Sequence, residues 1–321
     1  MKKYKKKLLT TSILITMSTV VMHVINRVIS ASAVIKNLLP AKEDNFYKWR
    51  FGNIYYTKSG EGKPLLLIHD LHPSSSNYEW KKLVAALEKH YTVYTLDLLG
   101  CGRSDKPKIT YTNFLYVQLI TDFVKNVIRQ KTNVISTGLS ASFTIMACLN
   151  DDNVFEKLML ISPEDLAVLN QSPTKQSKVA KFLLEIPILG TLVYHILVCR
   201  PNIELLFTEQ YLFNPFHADH LSVDTYYEAA HKGNGDGKYL QSSMSGRYVY
   251  CNIAHALKEI NNSIFILSGE KKEGIQETIA LYTSLNSSIE SELIPKTCQM
   301  PHMENPEKVL ETIGIFFSYG S

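Results

Sequence analysis

The sequence predicts an α/β fold in which a mostly parallel central sheet is flanked by helices, and three observations predict it. Short, continuous apolar runs recur along the chain, the pattern of strands buried on both faces. Longer segments with apolar residues at helical spacing separate them, so strand and helix alternate as in a parallel sheet covered on both sides. With 321 residues, 45 % of them hydrophobic and 20 % charged, the chain has the material for one large core.

The first element is a leader. Lys2, Lys3, Lys5, Lys6 and Lys7 precede Leu8 to Ile25 (LLTTSILITMSTVVMHVI), which carries no formal charge. Removing those five cations from the net charge of +4 leaves −1, so the body has no basic footprint for nucleic acid. Residues 1–35 read as a Lys-rich cytoplasmic leader and a membrane anchor that leaves the body extracytoplasmic. The alternative is a secretory signal cut at Ala31-Ser32-Ala33. Cys101, Cys148, Cys199, Cys251 and Cys298 are scattered, with neither a disulfide framework nor a zinc-ligand spacing. No cofactor is expected.

From Phe46 the strands read in order as Asn53 to Lys58, Pro64 to His69, Tyr91 to Leu98, Asn133 to Thr137, Leu158 to Ile161 and Ser263 to Leu267. Glu79 to Glu88, Phe114 to Arg129 and Phe143 to Asn150 carry the helical spacing between them. Residues 167–252 hold helical patterns and no convincing strand, which divides the body into a core of 46–166 and 253–321 and a helical cap between. In such sheets chemistry sits at the carboxyl ends of the strands.

Gly138-Leu139-Ser140-Ala141-Ser142 joins an apolar strand to a helix, the context of a nucleophile elbow: the turn demands small residues around a nucleophile lifted clear of the sheet. Four landmarks then stand in order: LLLIHD (Leu65 to Asp70), DLLGCGRSDKP (Asp97 to Pro107), the elbow, and MPHMENPE (Met300 to Glu307). With them the chain resembles the α/β-hydrolase superfamily in its capped, esterase-like branch, over about Phe46 to Phe317. The resemblance implies an α/β-hydrolase fold with the cap inserted after the sixth strand. It also implies Ser140 as nucleophile, an oxyanion hole from the N–H groups of Leu71 and Ala141, and His302 as base. Relatives that open epoxides or remove halides use aspartate at the elbow, so a serine disfavours that chemistry.

Three positions depart from the pattern. The usual His-Gly is His69-Asp70, which sets a carboxylate beside a hole meant for negative charge; His72 is near enough to pair with it. The usual histidine slot is Gln299, leaving His302 as a displaced base. The usual aspartate slot is Lys272, leaving Glu273, with Glu270, Glu164 and Asp165 as alternatives. His217 and His220 lack the carboxylates of a metal site, and Arg103 and Ser104 are expected to shape a loop. The expected function is hydrolysis of an ester, thioester or similar acyl bond in a small lipophilic substrate, through an acyl-enzyme. The alternative is a catalytically impaired member that binds a small apolar ligand or a protein partner.

Overall fold

The computed structural model describes residues 2–42 and 45–317. Eight strands form one sheet: β1 Phe46–Trp49, β2 Gly52–Ser59, β3 Lys63–Ile68, β4 Tyr91–Leu96, β5 Thr132–Thr137, β6 Phe155–Ile161, β7 Ser263–Gly269 and β8 Glu290–Ile294. Their order is β1-β2-β4-β3-β5-β6-β7-β8; β2 pairs antiparallel with both β1 and β4, and the remaining pairs are parallel. This is the α/β-hydrolase fold that the sequence implied. Strands β3 and β5 are apolar throughout their centres because they lie in the middle of the sheet, where Leu66 and Val134 face one core layer and Leu65, Leu67 and Ile135 the other.

The six expected strands are present, and two edge strands were not expected. Strand β8 reads ESELI and is largely exposed, so it lacks the apolar run by which an inner strand announces itself. The continuous helix expected over 79–88 is instead a 3₁₀ turn, Asn77–Trp80, and a short helix, Val84–Leu87. Between β6 and β7 the described residues form helices and turns without a strand. Two of those helices, Lys175–Glu185 and Leu189–Leu197, meet at a bend of 105°.

Helix α1, Lys2–Ala33, stands at the N-terminus. Its segment Leu9–Ala33 has a mean hydropathy of 1.6 and is 6 % buried in the protein. The hydroxyls of Thr11, Thr16 and Thr19 donate to the carbonyls of Lys7, Ser12 and Ile15 one turn back, which satisfies them inside the helix. Its C-terminal end rests on the cap: Asn26 Nδ2 donates to the Ile188 carbonyl (2.9 Å), and the Leu38 and Leu39 amides just beyond donate to Glu228 (2.7 and 3.1 Å).

Candidate active site

The turn between β5 and the helix Ser140–Asn150 has its left-handed residue at Gly138, with φ +52°. That residue, not Ser140, is the apex where an elbow presents its side chain. Small residues flank it two positions away on each side, Ser136 and Ser140. Ser140 is fully buried in the first helical turn, and its Oγ donates to the His69 carbonyl at 2.7 Å, pinning the end of β3 to the elbow helix. The serine assigned as nucleophile thus has its hydroxyl buried and turned to a backbone carbonyl. We expect Ser140→Ala to keep its turnover within a few-fold and to lose about 1–2 kcal/mol of stability, because the His69 carbonyl loses its donor. We also expect no serine labelling of the wild type by a fluorophosphonate probe; a Ser140-dependent label would overturn this placement.

Of the two N–H groups expected to act together, that of Leu71 faces the Asp70 side chain, and its neighbour there is the amide of Leu139, the residue after the apex. The Ala141 amide instead closes a turn onto the Gly138 carbonyl at 3.3 Å. Both donors are occupied. Leu71 N–H and Leu139 N–H each donate to Oδ1 of Asp70 at 2.8 Å. Glycine at the apex is what admits this carboxylate, since a Cβ on Gly138 would lie 2.3 Å from Asp70 Oδ1. Asp70 Oδ2 accepts no hydrogen bond from a described residue, and the side chain keeps a small exposure to a cavity of about 310 Å³. Burial, with the charges of Glu164 and Glu79, pushes the Asp70 carboxyl up to about 7 against the pull of the two amides.

The cavity lies between the strand ends and the cap. Leu71, Leu139, Val168, Leu206 and Met244 line its apolar part, and Glu164, Gln210, Tyr211 and Gln299 join Asp70 on the polar part. His72 also faces it, but its Nδ1 is held by Ser74, through the hydroxyl at 2.6 Å and the amide at 3.3 Å. Burial lowers its pKa to about 4, so it is neutral and cannot be the cationic partner of Asp70.

His302 does not line this cavity. Its ring stacks on Trp80, with centroids 5.0 Å apart, and its Nε2 lies 3.3 Å from Oε1 of Glu79. Glu79, fully buried, is the residue that sequence reading missed. Its Oε1 accepts from Thr137 Oγ1 (2.6 Å) and its Oε2 from the Asp70 amide (3.2 Å), so it fixes both the end of β5 and the loop that carries Asp70. Burial alone would raise the Glu79 pKa, but His302, His69 and Thr137 outweigh it and hold the carboxyl below its usual range. Its one sequence signal is an acid beside Trp80 in a segment that otherwise reads as a surface helix.

The remaining assignments fall outside the cavity or into support. Glu273 is exposed in an outer groove beside Lys272, and Glu270 pairs with Lys271 at 3.5 Å. Asp165 caps the short helix that follows it by accepting from the Ala167 amide. Glu164 alone of the alternatives lines the cavity. Lys272 Nζ donates to the carbonyls of Ser162 and Pro163, both at 2.7 Å, and Ser162 holds φ +49° in this turn. Arg103 and Ser104 do shape a loop: Arg103 Nε bonds Asp97 at 2.7 Å, and Ser104 Oγ donates to the Asp97 carbonyl. His217 and His220 sit on the cap beside Asn214 and Arg200.

The arrangement is thus a carboxylate held through one oxygen by two backbone amides, beside a cavity of mixed polar and apolar lining. Comparison with known proteins agrees with the frame. A model described as the alpha/beta hydrolase family matches residues 65–312. The 2-hydroxy-6-oxo-6-(2'-aminophenyl)hexa-2,4-dienoic acid hydrolase of Metapseudomonas resinovorans is 26 % identical over 134 residues, 40 % of this chain and 46 % of the relative. The soluble epoxide hydrolase of Corynebacterium sp. (strain C12) is 27 % identical over 108 residues, 34 % of this chain and 37 % of the relative. The chain thus spans less than half the length of these relatives. A crystal structure of a serine hydrolase involved in carbazole degradation superposes with a TM-score of 0.70 at 17 % identity, covering 85 % of this chain and 97 % of that one. These relatives are hydrolases, which supports a hydrolase activity here. The chain belongs to the alpha/beta hydrolase family.

Proposed function

We propose that this protein is a hydrolase in which the carboxylate of Asp70, rather than a serine hydroxyl, attacks a small lipophilic substrate in the capped cavity. The observation that carries this reading is the hold on Asp70: Oδ1 accepts two amides while Oδ2 stays free toward the cavity. Acyl transfer from serine is disfavoured, because a substrate oxyanion would need the two donors that Asp70 already fills. In the first step Oδ2 gives an electron pair to an electrophilic carbon of the substrate. The bond from that carbon to its leaving oxygen or halogen breaks, and the pair departs with the leaving atom. In the second step water adds to Cγ of the resulting ester, with Glu164 taking its proton. Negative charge develops on Oδ1, where the Leu71 and Leu139 amides already point. Collapse breaks the bond from Cγ to the substrate oxygen, which takes the proton back from Glu164 and leaves as the product alcohol; Asp70 then loses its own proton to water and is a carboxylate again.

The name of the epoxide hydrolase relative makes terminal epoxides the first probes. In a single turnover with enzyme in excess in ¹⁸O-water, the peptide containing Asp70 is expected to gain one heavy oxygen. Turnover without that label would sink the covalent route. A second reading, a ligand-binding member, draws on Gln299 and Lys272 in the slots of base and acid; thermal stabilisation by apolar ligands with no turnover of any probe would favour it. Helix α1 is proposed as a membrane anchor with the body outside, supported by its apolar, unburied length and by the lysines at its start.

A further inference from the structure

A second cavity, of about 400 Å³, lies where α1 meets the cap, away from Asp70. Arg27, Lys108 and Lys238 line it with a single acid, Asp236, so it holds an excess of positive charge. Arg27 forms no ion pair or hydrogen bond with a described residue, although it rises from an apolar helix. Lys238 is 4 % exposed; among the described residues its Nζ donates to the Ile186 carbonyl at 3.3 Å and lies over the Tyr239 ring, with the charges of Asp236 and Glu185 nearby but not in ion-pair contact. Lys108 is 3.9 Å from Asp236, a loose contact. Asn26, 6 % exposed, also lines the cavity, and its Oδ1 has no donor. A buried acceptor without a partner and a buried cation with no carboxylate in ion-pair contact, in one cavity, describe a place for an anion that also carries hydroxyls.

The position of the cavity selects the anion. At about 1.5 Å per residue, a hydrocarbon layer of about 30 Å entered at Leu9 is crossed by about residue 28. Arg27 and Asn26 then stand at the level of the lipid headgroups on the body's side. The helix Leu189–Leu197, which α1 packs beside, exposes Val193, Ile196 and Leu197, and Lys175–Glu185, bent against it, exposes Phe182 and Leu183. We propose that this cavity binds the headgroup of an anionic phospholipid, phosphate against Arg27 and Lys238 and headgroup hydroxyls toward Asn26, with the apolar cap face lying in the same leaflet. The proposal rests on α1 as an anchor and does not depend on the chemistry at Asp70.

The test uses the full chain in vesicles of phosphatidylcholine with or without phosphatidylglycerol. Flotation with both vesicles, resistant to high salt, reports the anchor alone; its failure sinks the anchor reading before the site is tested. Given flotation, native mass spectrometry is expected to show retained phosphatidylglycerol, and that lipid is expected to raise the unfolding midpoint where phosphatidylcholine does not. Arg27→Gln, an exposed substitution, is expected to weaken the retention about five-fold or more. Lys258→Gln, the same charge change far from the cavity, is expected to leave it unchanged. Equal effects of the two lipids, or equal retention by Arg27→Gln and wild type, would overturn the site. A midpoint shift reproduced by inorganic phosphate alone would assign it to a soluble anion instead of a lipid.

Discussion

Asp70→Asn is expected to be inactive and, at alkaline pH, more stable than the wild type. Inactivity follows from the loss of the attacking oxygen, and a drop of at least about a thousand-fold is expected. The stability gain follows from linkage. The Asp70 carboxyl moves from 3.8 to about 7 on folding. A raised carboxyl pKa means that the folded state keeps a proton the unfolded chain releases. Its contribution is intact below the unfolded pKa and is lost as pH rises toward 7. Buried neutral histidines oppose this trend: His72 and His195 have pKa values lowered to about 4, so through them stability rises with pH between about 4 and 6.5, and burial lowers His69 in the same direction. The wild-type profile alone therefore mixes two signs, and the difference between variant and wild type isolates Asp70. That difference is expected to grow by on the order of 3 kcal/mol between about pH 5 and about pH 8, since asparagine presents the same Oδ1 to both amides without a charge. Unfolding by urea at several pH values measures it. The same ionisation should appear in turnover, with kcat/KM rising to a plateau through about pH 7. A flat stability difference would remove the buried charge, and an active Asp70→Asn would remove the nucleophile.

Much of this fold was legible in the sequence, because inner strands of a parallel sheet must be apolar on both faces and β3, β5 and β6 announce themselves. Strand β8 did not, since an edge strand is half in water and Glu290, Ser291 and Glu292 carry no burial pattern. The site was legible in its anomalies more than in its motif. The carboxylate at Asp70, the amide at Gln299 and the cation at Lys272 were all visible as departures. Their meaning was hidden by an elbow read two residues late. Ser140 fits a small-residue turn, but so does Gly138 with Ser136 and Ser140 as its flanks, and only the backbone separates them: φ is positive at the glycine. Once Gly138 is the apex, the elbow has no side chain, and the aspartate that looked harmful beside an anion hole becomes the group inside it. The roles of Glu79 and His302 were not legible, because two segments more than two hundred residues apart must meet before the pair exists.

If the hole, and not the strand that supplies the carboxylate, defines the chemistry, the carboxylate can be moved. Gly138→Asp alone is expected to be severely destabilised, by about 3 kcal/mol or more. Its new Cβ falls 2.3 Å from Asp70 Oδ1, and two carboxylates then compete for one pair of amides. Asp70→Gly alone is expected to fold and to be inactive, because it leaves the Leu71 and Leu139 donors to water. The double variant Asp70→Gly with Gly138→Asp removes the collision and returns a carboxylate to the hole from the apex of the elbow. An aspartate held at φ +52° costs roughly 1–3 kcal/mol, which the well-packed sheet beneath it is expected to bear. The two substitutions should therefore be strongly non-additive, with the double variant more stable than Gly138→Asp and at least about ten-fold more active than Asp70→Gly. Activity restored from the other strand would locate the reaction in the two amides and the carboxylate they hold. A folded double variant as inactive as Asp70→Gly would mean that Asp70 serves through its own backbone position, and the attack by Oδ2 would have to be abandoned.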